Sequence, residues 1–258
     1  MTKEINRDFI SFSKQHRNNL AETMQRGITL HQKGQLEEAS HIYQQVISHN
    51  PQHFDALKLL GVLAYQRGEN QLAIELISQS ITINPNYADA HYNLGVALQE
   101  RGELEQAIQS YRRALAINPD VVDPHINMGN VLEEQGKLEQ AISCYQQAIQ
   151  VNPNHADAYN NLGNIYQGLN KTQQAISCYQ QATQVNPNHV SAYNNLGNVY
   201  QGLNKTQQAI NCYQQVINLC DQMLTSKPYD QKIYNRRQGT LHLLNGLKGV
   251  TTKKAPKE

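Results

Sequence analysis

The sequence predicts an all-α solenoid of stacked helix–turn–helix units, and three observations predict it. Two 24-residue stretches, Ala158–Gln181 and Ala192–Gln215, lie 34 residues apart and differ only at Ile165/Val199 and Ser177/Asn211. Asn-Pro pairs recur at the same period: Asn50-Pro51, Asn84-Pro85, Asn118-Pro119, Asn152-Pro153 and Asn186-Pro187. Between them apolar residues fall at helical spacing in two segments, split at one offset by Gly34, Gly68, Gly102, Gly136, Asn170 and Asn204. Self-similarity at a fixed period of this size marks stacked repeats. Proline ends the helix before it. Gly or Asn accommodates the left-handed residue that closes a helix. Each period is therefore two helices and a turn.

Residues 1–19 precede the repeats. Ile5, Phe9 and Phe12 share one helical face, which predicts a short amphipathic helix capping the first unit; its alternative role is a membrane-surface or partner helix. Asn19 with Glu22 forms a capping box for the helix that follows. Six units then span 20–53, 54–87, 88–121, 122–155, 156–189 and 190–223. In the last, Asp221 stands where the Pro would be, so its second helix is expected to run on toward Leu224. Residues 224–248 read as a terminal capping helix starting near Pro228, with Ser226 as cap. Ile233, Leu241, Leu244 and Leu247 would face the last unit. Residues 249–258 are basic and small, and read as a disordered tail.

Two small-residue columns explain the packing. Gly27, Gly61, Gly95, Gly129, Gly163 and Gly197 sit midway along the first helices. A mid-helix Gly costs about 1 kcal/mol against Ala, so its recurrence implies close helix approach. Ala39, Ala73, Ala107, Ala141, Ala175 and Ala209 do the same on the second helices. Tyr43, Tyr111, Tyr145, Tyr179 and Tyr213, with Ile77 in the remaining unit, supply the opposing bulk.

These residues carry a resemblance. Tyr159, Leu162-Gly163, Tyr166, Ala175, Tyr179 and Pro187, and in the third unit Leu94-Gly95, Leu98, Ala107, Tyr111 and Pro119, resemble the tetratricopeptide repeat (TPR) pattern. The match covers roughly residues 20 to 223. It departs at Arg26, where Leu is usual, and at Thr23, Leu57, His91 and His125, where an aromatic opens the unit. The resemblance implies a right-handed superhelix whose first helices line a concave face.

Composition excludes several function classes. Charged residues are 17% of the chain and the net charge is +1, which gives no general electrostatic drive toward nucleic acid or an anionic membrane. No run is long and apolar enough for a membrane span or a signal peptide, so a cytoplasmic protein is expected. Cys144, Cys178, Cys212 and Cys220 read as reduced thiols. Cys212 and Cys220 would lie about 12 Å apart along a helix, beyond disulfide reach. No phosphate loop, zinc motif or nucleophile elbow is present, so neither catalysis nor a cofactor is expected. His91 and His125 read as packing residues. His155 and His189 fall in the inter-unit loops.

The candidate site is a double column of asparagines. Two positions before the mid-helix Gly stand Asn93, Asn127, Asn161 and Asn195 in the last four units, after Gln25 and Leu59 in the first two; just after the Gly stand Asn130, Asn164 and Asn198 in the last three, after Ile28, Val62 and Val96. Three residues apart, the columns share a helix face. Asn is a poor helix-interior residue. A carboxamide both donates and accepts, so a ladder of them can hold an extended peptide backbone with little regard to its side chains. The ladder resembles the TPR superhelix of O-linked N-acetylglucosamine transferases, where inward Asn side chains hold substrate backbone. It lacks the cations of a dicarboxylate clamp; Asp89, Asp123, Asp157, Glu133 and Glu134 lie nearby, with Lys58 alone of opposite sign. The expected partner is a protein segment, neutral or basic rather than an acidic tail. The reading is a protein-interaction scaffold. The alternatives are the substrate-recruiting region of an O-linked glycosyltransferase and an assembly factor for a membrane or photosynthetic complex.

Overall fold

The computed structural model describes residues 20–253, and their regular structure is helical throughout. The expected capping segment and the Asn19 cap, like residues 254–258, lie outside the described residues. The chain forms two compact units, to Val131 and from Leu132.

In the first unit, α1 (20–32) precedes α2 (Leu36–His49), α3 (Phe54–Gln66), α4 (Asn70–Ile83), α5 (Ala88–Glu100) and α6 (Leu104–Ile117). α7 (Val122–Glu134) carries the chain into the second unit. There follow α8 (Leu138–Val151), α9 (Ala156–Gly168), α10 (Thr172–Val185), α11 (Val190–Gly202), α12 (Thr206–Ser226) and α13 (Gln231–Lys253). In each unit successive helices pack as antiparallel neighbours, α3 on α4 and α5 on α6, then α9 on α10 and α11 on α12.

Both turn signals work as the sequence requires. Gly68 has φ of +79°, and Asn170 and Asn204 have φ of +56° and +57°. At the Asn170 turn the Lys171 N–H donates to the Tyr166 carbonyl at 2.8 Å, and at the Gly68 turn the Glu69 N–H donates to Ala64 at 2.9 Å. This is the six-to-one bond of a Schellman close. In four of the inter-helix loops, at Asn50, Asn118, Asn152 and Asn186, the Asn does more than precede a proline. Its side-chain oxygen accepts the N–H two residues on, at 3.1 Å for Asn50 and 3.0 Å for Asn152, an Asx turn.

The loop histidines are helix caps. His53, His155 and His189 accept the Ala56, Ala158 and Ala192 N–H through Nδ1 at 3.2, 3.3 and 3.1 Å, each filling one orphan donor of a first turn. His91 reaches back to the Pro85 carbonyl through Nε2 at 2.9 Å.

The mid-helix glycines are close-approach sites. A Cβ on Gly61 would lie 2.6 Å from Ile77, one on Gly95 2.5 Å from Tyr111, and one on Gly197 2.7 Å from Tyr213. The five column tyrosines are fully buried.

The C-terminal end departs from expectation at both boundaries. α12 runs on to Ser226, since no Asn-Pro stops it. α13 begins at Gln231, and its cap is Asp230, whose carboxylate accepts from the Lys232 and Ile233 N–H at 3.0 and 3.1 Å. Ser226 instead donates to the Met223 carbonyl at 2.9 Å. α13 stays helical through Lys253 and does not stop at 248, because nothing before Pro256 forces a break. Ile233 and Leu244 are buried against the second unit's last helices, with Leu241 and Leu247 beside Leu244. Among the described residues no helix is long and apolar enough to cross a membrane.

Candidate functional site

The Asn columns are built on the tyrosine column beneath them. In the second unit the Tyr179 Oη lies 2.9 Å from Asn164 Oδ1 and 2.8 Å from Gln167 Oε1. Tyr213 repeats this with Asn198 at 2.8 Å and Gln201 at 2.7 Å. A phenol has one proton, so of the two carboxamides one accepts and the other must turn its N–H toward the phenol oxygen. At Tyr179 the acceptor is Asn164, since its Oδ1 also takes the Asn195 N–H at 2.9 Å. Turning Asn164 over would set two N–H groups against each other. Asn195 Nδ2 lies 3.1 Å from Asn160 Oδ1 as well, and Asn160 Nδ2 3.4 Å from Asn161 Oδ1.

The columns therefore divide their labour. Asn164 and Asn198 spend their carbonyls on the core and hold exposed Nδ2 groups with no partner among the described residues. Asn195 spends its N–H on its neighbours and keeps its Oδ1. Donors and acceptors are fixed in place by bonds below them, which is preorganisation.

In the first unit the arrangement differs. Asn127 Nδ2 donates to Tyr92 Oη at 3.2 Å and reaches the Tyr111 phenol. Tyr111 also donates to Gln99 at 2.7 Å. Asn93 lines a cavity of about 280 Å³ with Lys58, Asp89, Tyr92 and Asp123. Asn130, on α7, is half-buried. A second cleft, of about 550 Å³, runs between α1 and α3 and is lined by Met24, Ile28 and Leu59 with Gln25, Asp55 and Lys58. The Lys58 ammonium stands 5.2 Å over the Tyr87 ring, and Tyr87 donates to Asp55 at 2.5 Å.

Three members of this network were not anticipated: Asn160, which meets Asn161 and Asn195, and Gln167 and Gln201, which share the Tyr179 and Tyr213 hydroxyls with the asparagines. The two glutamines belong to a column four residues after the mid-helix Gly. In it His31, Gln99 and Glu133 also meet the tyrosine twelve residues on, at 3.4, 2.7 and 2.9 Å. The 34-residue recurrence of polar residues at that offset was a readable signal.

Burial pushes the Tyr43 and Tyr213 phenols up to about 12 and raises Tyr111, Tyr145 and Tyr179 too. A phenol above its unfolded value of about 10 stabilises the fold fully below that pH. The contribution is lost as pH rises through about 12. Helical circular dichroism is thus expected to fall together with the rise of tyrosinate absorbance across that interval. Ionisation of these phenols with the helices intact would contradict their anchoring role.

Burial also raises the Cys178 and Cys212 thiols to about 11. Cys144, Cys178, Cys212 and Cys220 form no disulfide. Among the described residues no three His, Cys, Asp or Glu side chains converge as a metal site.

Family models described as tetratricopeptide repeat or TPR repeat match residues 30–81, 63–100, 88–121, 110–143, 131–170, 156–189 and 190–222. The chain belongs to the tetratricopeptide repeat family. No curated protein matches it significantly. Among solved structures, the TPR chain is similar to MamA at 27% identity and a TM-score of 0.58, over 62% of this chain and 93% of MamA. PilF of Pseudomonas aeruginosa aligns at 23% identity and a TM-score of 0.59, over 75% of this chain and 91% of that one. YrrB, described as a TPR protein with an unusual peptide-binding site, aligns at 19% and 0.56, over 78% and 96%. The latter two show the fold. TPR domains bind protein partners, so the fold places this chain among interaction scaffolds and the amide columns are its candidate contact surface.

Proposed function

We propose that this TPR protein is a scaffold that binds an extended segment of a partner protein along the Asn-bearing helices, with α9 and α11 as the best-organised part of the site. The observation that supports it is the held carboxamide set: outward N–H on Asn164 and Asn198, and a spare carbonyl on Asn195. An extended chain offers a C=O and an N–H at each residue, in alternating directions, and this set can meet both. Asn161 shares the face. In the first unit Asn93, Asn127 and Asn130 offer a second contact. Asp157, Glu133 and Glu134 lie in the same unit as α9, which favours a neutral or basic segment over an acidic tail. Each such hydrogen bond contributes about 0.5–1.5 kcal/mol. A handful, less the cost of ordering the peptide, gives a dissociation constant on the order of micromolar.

The test is a selection of peptides from a displayed library, followed by titration of the selected peptides against Asn164→Asp/Asn198→Asp. That pair keeps the oxygens that accept from Tyr179 and Tyr213 and removes the outward N–H groups. Binding is expected to weaken by roughly tenfold or more, with the melting temperature held. A selection that returns no extended peptide, or equal affinity for both proteins, sinks the proposal. The selected sequences also bear on the glycosyltransferase reading, which requires a Ser or Thr in the bound segment.

A further inference from the structure

The net charge of +1 hides a segregation. Residues 227–258 hold eight of the 22 Lys and Arg and two of the 21 Asp and Glu, a net of +6; residues 1–226 carry the rest, a net of −5. The fold exposes three of these cations at the start of α13 and in the loop before it. α13 packs inward through Ile233, Thr240 and Leu244, so its outer side cannot be core. Lys232 and Arg236 on α13 and Lys227 in the loop before it are exposed without an ion pair among the described residues, whereas Arg237 is tied to Asp221.

An aromatic side chain that the core does not use stands at the loop end of the Lys232–Arg236 pair. Tyr229 is 97% exposed at the tip of the α12–α13 loop, while Tyr234, 48% exposed and two residues from both Lys232 and Arg236, lies on the other side of the helix. Lys232 and Arg236, four residues apart, share one side of α13, and Tyr229 lies in the loop that leads into it. A folded domain gains nothing from a fully exposed phenol ring there, and the loop tip needs only Pro228 and the Asp230 cap.

We infer that this face of α13 docks the protein on an anionic lipid surface. Two independent features suit that partner. Lys and Arg near an anionic leaflet are attracted within a Debye length. Tyrosine, with an apolar ring and a polar tip, settles at the headgroup level. A single-stranded nucleic acid would be met by aromatic faces ranged along a basic groove, but here Tyr229 stands at the loop end of the Lys232–Arg236 pair and Tyr234 faces away from that pair. With its apolar side already buried, α13 cannot insert. The binding is peripheral, driven by charge and sensitive to salt.

The experiment is co-sedimentation of the full chain with phosphatidylcholine vesicles, with and without phosphatidylserine, at low and high salt. Binding is expected only with phosphatidylserine and only at low salt. Lys232→Glu/Arg236→Glu is expected to reduce it by about tenfold or more, with the thermal melt unchanged. Tyr229→Ser should weaken it more modestly. Each of the following would overturn the inference: no binding to phosphatidylserine vesicles; equal binding to neutral vesicles; unchanged binding by the charge-reversed variant; or single-stranded RNA that binds more tightly than the vesicles at the same salt and displaces them. The charge-reversed variant should still bind any peptide selected through Asn164 and Asn198, so this face and the amide columns fail or stand separately.

Discussion

Tyr179→Ala is expected to destabilise the protein by about 3–5 kcal/mol, among the largest effects of any single change in the second unit. The ring is fully buried and packs beside Ala175, Ile176, Leu196 and Tyr200. Removing it leaves a cavity that two packed helices cannot close. It also strips the hydroxyl from Asn164 and Gln167, which meet it at 2.9 and 2.8 Å. Tyr179→Phe separates the two costs: it keeps the ring and removes the hydrogen bonds, and about 1–3 kcal/mol is expected. Urea denaturation of both variants checks the ordering. If Tyr179→Ala falls within 1 kcal/mol of Tyr179→Phe, the column of tyrosines is not the packing spine described here.

Gly163→Leu is expected to cost about 1–3 kcal/mol by overpacking. An added Cβ alone would stand 2.6 and 2.8 Å from two carbons of the Tyr179 ring. That ring has no room to turn, being buried on every side and pinned at its hydroxyl. Gly163→Ala is the sharper comparison because two effects oppose each other. Helix propensity favours Ala by about 1 kcal/mol, while the contact with Tyr179 disfavours it. A thermal melt that shows Gly163→Ala stabilised by the full propensity gain would mean that the helices do not approach closely at this point. A loss of stability means that the glycine is there for the ring.

Much of the fold was legible in the residues because the period repeats the same local physics. Asn-Pro stops, left-handed turn residues and apolar spacing each specify a boundary without reference to the rest of the chain. The positive φ values at Asn170 and Asn204 sit where Gly stands in the earlier repeats. The site was legible only in part. The spacing placed seven asparagines in two columns, but it could not say which end of each carboxamide is spent. That depends on Tyr179 and Tyr213, fifteen residues from Asn164 and Asn198, and on a neighbouring helix that brings Asn195 to Asn164.

The sequence by itself determined the class of fold, the helix-turn-helix period, the glycine-tyrosine packing columns and the identity of the polar ladder. These are local or periodic properties, and periodicity makes a nonlocal contact readable. Only the tertiary structure decided the direction of the amides, the capping role of His155 and His189, and the capping of α13 by Asp230 rather than Ser226. It also decided which side of α13 carries Lys232 and Arg236. The reason is the same in each case. A hydrogen-bonding group has several candidate partners along the chain, and packing brings only some of them within 3 Å or so.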